Sequence, residues 1–349
     1  MSMNPYDFIP LEEVSKRTFP PGQHLLPRNA GVIHAELETQ TPFLIARQQP
    51  GGNGIVPLRN GEIIPGSSIK GMIRSLAEIV GGGCISLSSS LYFKGKYSYN
   101  HAREPKDFAP CNDIKKLCVT CRMFGFLERS NVWKGLVAPG EGKWLGDSRP
   151  KTQKFNVIVG TPKPDHYSFY TIDNTVRGRK TYYHANSITV SNAAHNAAYG
   201  ARQTINVTAI GAGEKYQFSI YHQGLDKFEY SLLLYAVFLE ENMAHKLGWG
   251  KPRGFGTVKI TPITIEEIDL YSRYRMGSSK PKLYKSENAI SRVKELTTNY
   301  RKKNNSTITA LRKMLTFDPN RNKETDLQYP DYQWFKQNPE KSLEEYNRE

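Results

Sequence analysis

Apolar and polar positions alternate from Val32 onward. Ile33, Ala35 and Leu37 fall on one side, Val32, His34, Glu36 and Glu38 on the other, up to Thr41-Pro42. A period of two predicts a strand with one buried face between Val32 and Ile45. A Gly/Pro/Asn-rich loop, Gln49 to Gly54, follows. Ile63-Ile64-Pro65-Gly66-Ser67-Ser68 then breaks the strand pattern and predicts a helix start with a serine cap. Beyond it Ile69, Ile73, Leu76 and Val80 recur at helical spacing, Lys70 and Arg74 stand four apart on another face, and Gly81-Gly82-Gly83 ends the helix.

The pattern fades between about 84 and 127, which reads as an insertion with little regular structure. Asp147 to Arg202 predicts short strands and loops, with the small polar run Asn192 to Ala198 expected to be a mobile loop. Alternation returns from Lys215 to His222, with Tyr216, Phe218 and Ile220 inward. Tyr230 to Leu247 predicts a helix buried on more than one side, Gly248 to Gly256 a glycine loop, and Thr257 to Ile265 a last strand. Beyond 266 the chain is charged and helical. Strand–helix, then strand–helix–loop–strand, predicts an α+β fold with an RRM-like (ferredoxin-like) core split by insertions. The expected organisation is an N-terminal arm (1–30), the two core parts (31–83 and 205–265), a metal-binding insertion (84–145), a thumb-like hairpin insertion (146–204) and a C-terminal extension (266–349).

Charge narrows the partners. Of 349 residues, 48 are Lys or Arg and 33 Asp or Glu, a net charge of +15. A surplus of that size favours a polyanion, because each neutralised phosphate releases counterions. The longest apolar run, Leu232 to Leu239, is far short of the roughly 18 residues a membrane-spanning helix needs. The first ten residues lack the basic and apolar regions of a signal peptide, and the expected location is the cytoplasm.

Cysteine placement adds chemistry. All four lie in one stretch, Cys84, Cys111, Cys118 and Cys121, spaced C-x26-C-x6-C-x2-C. Disulfides are uncommon in the cytosol, and a Cys-x-x-Cys pair can aim two thiolates at one tetrahedral ion. The surrounding Tyr-, Lys- and Asn-rich segment needs a staple to fold. A structural zinc ion with four thiolate ligands is the expected occupant, with His101 as reserve ligand. One buried, inert cysteine beside a chance Cys-x-x-Cys is the alternative. A thioredoxin-like role is disfavoured because no pattern predicts Cys118 at a helix N-terminus.

Three other segments have the composition of anion contacts. The loop from Gly248 to Gly256 combines four glycines with Trp249, Lys251, Arg253 and Phe255, and Lys246 precedes it. It fits neither a Walker A loop nor a dinucleotide fingerprint. Its glycines let backbone amides approach phosphates, although a plain helix-to-strand turn accounts for them too. Ser67, Ser68, Lys70 and Arg74 mark a helix start that can hold a phosphate. In Arg177, Arg179, Lys180 and Tyr182, cations interleave with aromatics as in phosphate contact with base stacking, or as in a solvated hairpin.

Together these segments resemble the RAMP superfamily of CRISPR-associated proteins. Ile64 to Arg74 is similar to that family's first-helix motif, Cys118 to Gly125 to its cysteine segment, and His245 to Gly256 to its C-terminal glycine-rich loop. The order is the family's. The Arg177–Lys180 stretch and the tail around Tyr329-Pro330-Asp331-Tyr332 are similar to a branch found in type III effector complexes. The resemblance implies an RRM-like core packed beside sibling subunits and the large effector subunit along a guide RNA, with Lys70, Arg74 and the glycine loop toward the guide. It also implies a zinc-stapled insertion and a thumb that kinks the duplex of guide and complementary target RNA. Family members that cut target RNA with a metal such as Mg²⁺ carry an aspartate between the first strand and first helix. Here Ala46 to Ile64 has none; its only carboxylate is Glu62, and Asn53 is an amide. A non-cutting structural subunit is therefore expected. Two alternatives remain: metal-dependent cutting through Asp147, Asp165 or Asp173, and metal-independent guide processing with His34 or His184 as base.

Overall fold

The computed structural model describes residues 4–20, 29–48, 54–85, 104–129, 131–158, 167–188, 204–271, 273, 280–320, 330 and 332–346. The expected mobile loop at Asn192–Ala198, Asn53, His101, Asp165, Tyr329 and Asp331 lie outside the described residues.

The elements that position the site are β1 (Tyr6–Ile9), β2 (Asn29–Thr39), β3 (Ile63–Ile64), α1 (Gly66–Val80), α2 (Val119–Phe124), β4 (Val137–Pro139), β5 (Gly142–Trp144), β6 (Arg179–Tyr182), β7 (Lys215–Leu225), α3 (Lys227–Phe238), β8 (His245–Lys246), β9 (Thr257–Asp269), β10 (Lys282–Lys285), α4 (Glu287–Leu296) and α5 (Ser306–Leu315). An eight-stranded sheet runs β8-β9-β2-β7-β5-β3, with β10 on the edge of β9 and β4 paired to β7. Every pairing in it is antiparallel. Strands β9 and β7 therefore flank β2, and β5 and β3 complete the far side.

The alternation in β2 works as the sequence predicts: Ile33, Ala35 and Leu37 are wholly buried, and His34, Glu36 and Glu38 are not. Against the buried face lie α1, through Ile69, Met72, Ile73, Leu76, Ala77 and Val80, and α3, whose Leu232 to Val237 are buried all round. A chain that places three unrelated faces against α3 leaves it no polar stripe, hence its uninterrupted apolar run.

Several boundaries differ from expectation. The serines do not cap α1; Pro65 occupies the N-cap with no side-chain hydrogen bond, and the helix begins at Gly66. The second helix begins at Lys227 and stops at Phe238, not Leu247. Asp226 and Glu229 form a reciprocal capping box at its start, and Leu239 turns into positive φ (51°) at its end. The cysteine segment is more regular than expected, because Cys118 is the N-cap of α2. Residues 137–139 and 142–144, within the expected insertion, are strands of the central sheet.

The C-terminal extension covers the core. Strand β10 lengthens the sheet, α4 packs on α3, and α5 packs on α1 and on strands β1 and β6, with Ala289, Val293, Ile308 and Leu311 buried. Further on, Leu343 packs with Tyr6 and Phe169, joining both ends of the chain at the β1–β6 ribbon. No helix among the described residues is long and apolar enough to cross a membrane.

Candidate metal centre and nucleic-acid cleft

The four cysteines, spread over 38 positions of sequence, converge. All are buried, and their sulfurs lie within 4.8 Å of one another. Cys84 and Cys121 Sγ are 3.7 Å apart. A tetrahedron with metal–sulfur bonds of about 2.3 Å has edges of about 3.8 Å, so the spacing suits one four-coordinate ion. The Cys118 amide donates to Cys111 Sγ at 3.3 Å, and hydrogen bonds from Cys111, then Cys121 and Cys84, hold the Cys118 thiol far below its ordinary range. The donor set is soft, closed and thiolate-rich. It can hold a metal ion, and four protein ligands leave no coordination position for substrate.

This module is bolted to the core at two points. Arg122, next to Cys121, donates to Glu229 Oε1 at 2.9 Å in a pair almost free of solvent, and also to Thr18 Oγ1 and the Leu117 carbonyl. On the other side Glu78 of α1 accepts from Arg74 Nε and from Arg179 Nη1, each at 2.9 Å. Arg179 Nη2 donates to the carbonyls of Gly83 and Cys84, both at 2.8 Å.

Beside the module opens a cleft of ≈ 800 Å³ between α1, the β6 strand and the start of the glycine loop. Of the residues singled out in the sequence, Ser67, Ser68, Arg179, Lys180, Tyr182, Lys246 and Lys251 line it. The structure thus joins three segments that are far apart in the chain. Lys70, Arg74, Arg177, Trp249, Arg253 and Phe255 do not line it. Arg74 turns toward the metal module, its Nη2 3.9 Å from Cys121 Sγ. Phe255 is fully buried and packs edge-on against Trp249 and Phe155.

The glycine loop has a structural cause of its own. Gly248, Gly250, Gly254 and Gly256 all adopt positive φ, between 74° and 94°. A Cβ on Gly256 would stand 1.9 Å from the Leu247 carbonyl oxygen, and one on Gly248 2.3 Å from that of Leu44. These glycines let the loop fold onto its own backbone, and that folding presents Lys251 to the cleft.

Electrostatics in the cleft run one way. Lys180 Nζ sits 3.7 Å from the centroid of the Tyr6 ring, with Tyr182 and Tyr170 further out. Lys246 Nζ donates to the carbonyls of Phe255 and Gly254 at 3.2 and 3.4 Å. Neither ammonium, nor that of Lys251, has a carboxylate partner among the described residues. Desolvation pushes Lys180 down to about 8, Lys246 to about 7, and Lys251 in the same direction. Aromatic faces and carbonyls stabilise a cation without neutralising it, so the cleft retains positive charge in a poorly hydrated place. The uncapped N-terminus of α1, beside Ser67 and Ser68, adds its dipole. The one carboxylate in the lining, Glu78, already accepts from two arginines.

The open face of the sheet is different. His34, Glu36 and Glu38 project there from β2, with Lys215 paired to Glu36 at 2.8 Å. His34 Nδ1 bonds to Ser219 Oγ at 2.8 Å. His184 is buried with Nδ1 against Thr257 Oγ1 and Nε2 against the Ala244 carbonyl, and burial holds its pKa well below the usual value. Asp147 and Asp173 are exposed and outside the cleft.

Comparison with known proteins gives one finding. Residues 36–259, more than half of the chain, match the family model described as RAMPs, RAMP superfamily. No curated protein matches the chain.

Proposed function

The chain belongs to the RAMP superfamily, and from that premise we propose that it is a guide-RNA-binding structural subunit of a CRISPR ribonucleoprotein of type III. The observation that carries this reading is the convergence of Lys180, Lys246 and Lys251 on one cleft without a carboxylate partner. A buried cation left unneutralised is costly unless an anion completes it, and RNA phosphates supply that anion. On this reading the three lysines and the α1 N-terminus take the guide backbone, and Tyr182 lines the same path. The sheet order supports an RRM-like core; on its open face Glu36 and Glu38 are matched by Lys143, Lys215 and Lys259, and on this reading the lysines without a carboxylate partner make the helix side the RNA side.

The metal centre on this reading is a structural zinc site formed by Cys84, Cys111, Cys118 and Cys121. Bound there, zinc supplies a covalent-like staple for a segment with few apolar contacts of its own. Sibling subunits, the large effector subunit and complementary target RNA are the implied partners, in the cytoplasm. Absence of cutting is supported from the cleft itself. Among the described residues its lining carries no carboxylate free to hold Mg²⁺, and both ring nitrogens of His184 are engaged.

The test is a pair of gels with labelled target RNA and the guide-loaded complex, run with Mg²⁺ and with EDTA. Bound and intact RNA in both is the expected result. Cuts dependent on Mg²⁺, or cuts persisting in EDTA, would replace the scaffold by one or other nuclease. Unchanged RNA binding after Lys180, Lys246 and Lys251 are all replaced by Met would move the RNA away from this cleft.

A further inference from the structure

Ribbon β1–β6 carries one wall of the cleft, yet it has only two strands, Tyr6 facing Tyr182 through Ile9 facing Arg179. Two strands alone do not hold a position. One face of the ribbon is fixed by aromatics: Lys180 and Tyr182 pack among Tyr6, Phe8 and Tyr170. The other face buries Ile9 in the main core, the two strands also pack on α5, and Arg179 adds contacts whose acceptors are specific. Nη1 reaches Glu78 on α1, and Nη2 reaches the carbonyls of Gly83 and of Cys84, itself one of the four thiol ligands. Glu78 in turn holds Arg74, whose remaining nitrogens reach the Gly125 carbonyl and approach Cys121 Sγ. The wall of the cleft and two of the four ligands therefore share one clasp.

We propose that Arg179 and Glu78 are positioning residues which couple metal binding at the cysteine cluster to RNA binding in the cleft. This rests on the RNA reading given above. Metal and RNA are thermodynamically linked through this clasp. A metal ion fixes Cys84 and Cys121, which fixes the acceptors of Arg179 and Arg74, which fixes the ribbon bearing Lys180. RNA seated on the ribbon restrains the same clasp from the other end. Coupling is reciprocal, so RNA tightens metal binding by the factor by which metal tightens RNA binding. The role assigned to Arg179 is geometric: its planar fork serves Glu78 and two carbonyls at once, which a lysine ammonium cannot do.

The experiment uses the full-length, zinc-loaded chain and a fluorescein-labelled single-stranded RNA. Zinc release to a competing chelator is followed with a chromogenic zinc indicator, with and without saturating RNA, and RNA affinity is followed by anisotropy before and after chelation. In the wild type, with zinc partitioned at equilibrium between the protein and the competing chelator, RNA is expected to lower zinc release, and chelation to weaken RNA binding, each by about 5-fold or more. Arg179→Lys and Glu78→Gln keep all four thiols and are expected to abolish both effects; zinc content and the far-UV spectrum confirm that each variant is folded. If Arg179 instead contacts phosphate directly, Arg179→Lys keeps the coupling, and the proposal fails. RNA that binds the wild type without changing zinc release also overturns it. Failure of the loaded wild type to bind RNA at all overturns the RNA reading, and this proposal with it.

Discussion

Lysine 246 shows how much a single residue's surroundings decide. Its amine, desolvated and held by two carbonyls, falls to about 7, and that of Lys180 falls to about 8. A bound phosphate favours the ammonium form, so RNA association takes up protons, and affinity is expected to fall as the pH rises through about 7 to 8. Anisotropy titrations across that range check this. Lys246→Met is expected to weaken binding at the acid end and flatten the lower part of the profile. For the free protein the sign reverses. A folded-state pKa below the unfolded value means that folding releases a proton, so Lys246 costs stability below about 7 and costs progressively less toward 10.5. Thermal melts should show Lys246→Met stabilising the RNA-free chain near pH 6 and losing that advantage on going alkaline. In the sequence Lys246 is one cation among 48; only its packing under the glycine loop distinguishes it.

At the scale of elements, two anchors can be tested. Glu229 closes the capping box of α3 and also accepts from Arg122, so one buried carboxylate ties the start of α3 to the cysteine module. Arg122→Met removes the cation paired with that buried carboxylate, and a loss of about 3 to 5 kcal/mol in urea unfolding is expected. Pairing Arg122→Met with Glu229→Leu should recover part of it, since no charge is then stranded. Cys121→Ser removes one of four ligands. The expected outcome is loss of stoichiometric zinc in metal analysis, with early melting of the 104–133 segment seen as faster amide exchange. The start of α3 was legible: Asp226 and Glu229 stand three apart just before an apolar run, the mark of a capping box, and an expectation resting on the apolar run alone begins three residues late. Its end was not. Neither Gly nor Pro marks Leu239, and the helix stops where Glu240 is drawn to Arg312 and Tyr235.

For the whole molecule, charge and its placement are separate matters. The net charge of +15 suggests a polyanion, and the structure brings Lys180, Lys246 and Lys251 together in one cleft. If three lysines carry the contact, each displaced counterion contributes about −0.7 to the slope of log K against log salt for a single strand, a slope of about −2. Salt titration of wild type against the triple Met variant measures it, and a wild-type slope near zero would sink the electrostatic account.

No period marked β4, β5 or the end of α3, but the sequence by itself determined β2, α1, β7, β9 and the presence of α3, because side-chain period follows backbone geometry and needs no neighbour. The same holds for the crowding of all cysteines into one segment, where their number and spacing already favoured a shared ion. Which cations face the cleft was decided only by tertiary structure. Ser67, Lys180 and Lys251 meet because α1, the ribbon and the glycine loop pack together. Lys70 and Arg74 lie on neighbouring faces of the same helix and miss it, and Phe255 goes to the core. Contacts between residues a hundred positions apart depend on how elements pack, and local pattern carries no record of that; the clasp of Arg179 on Glu78 and Cys84 is of this kind.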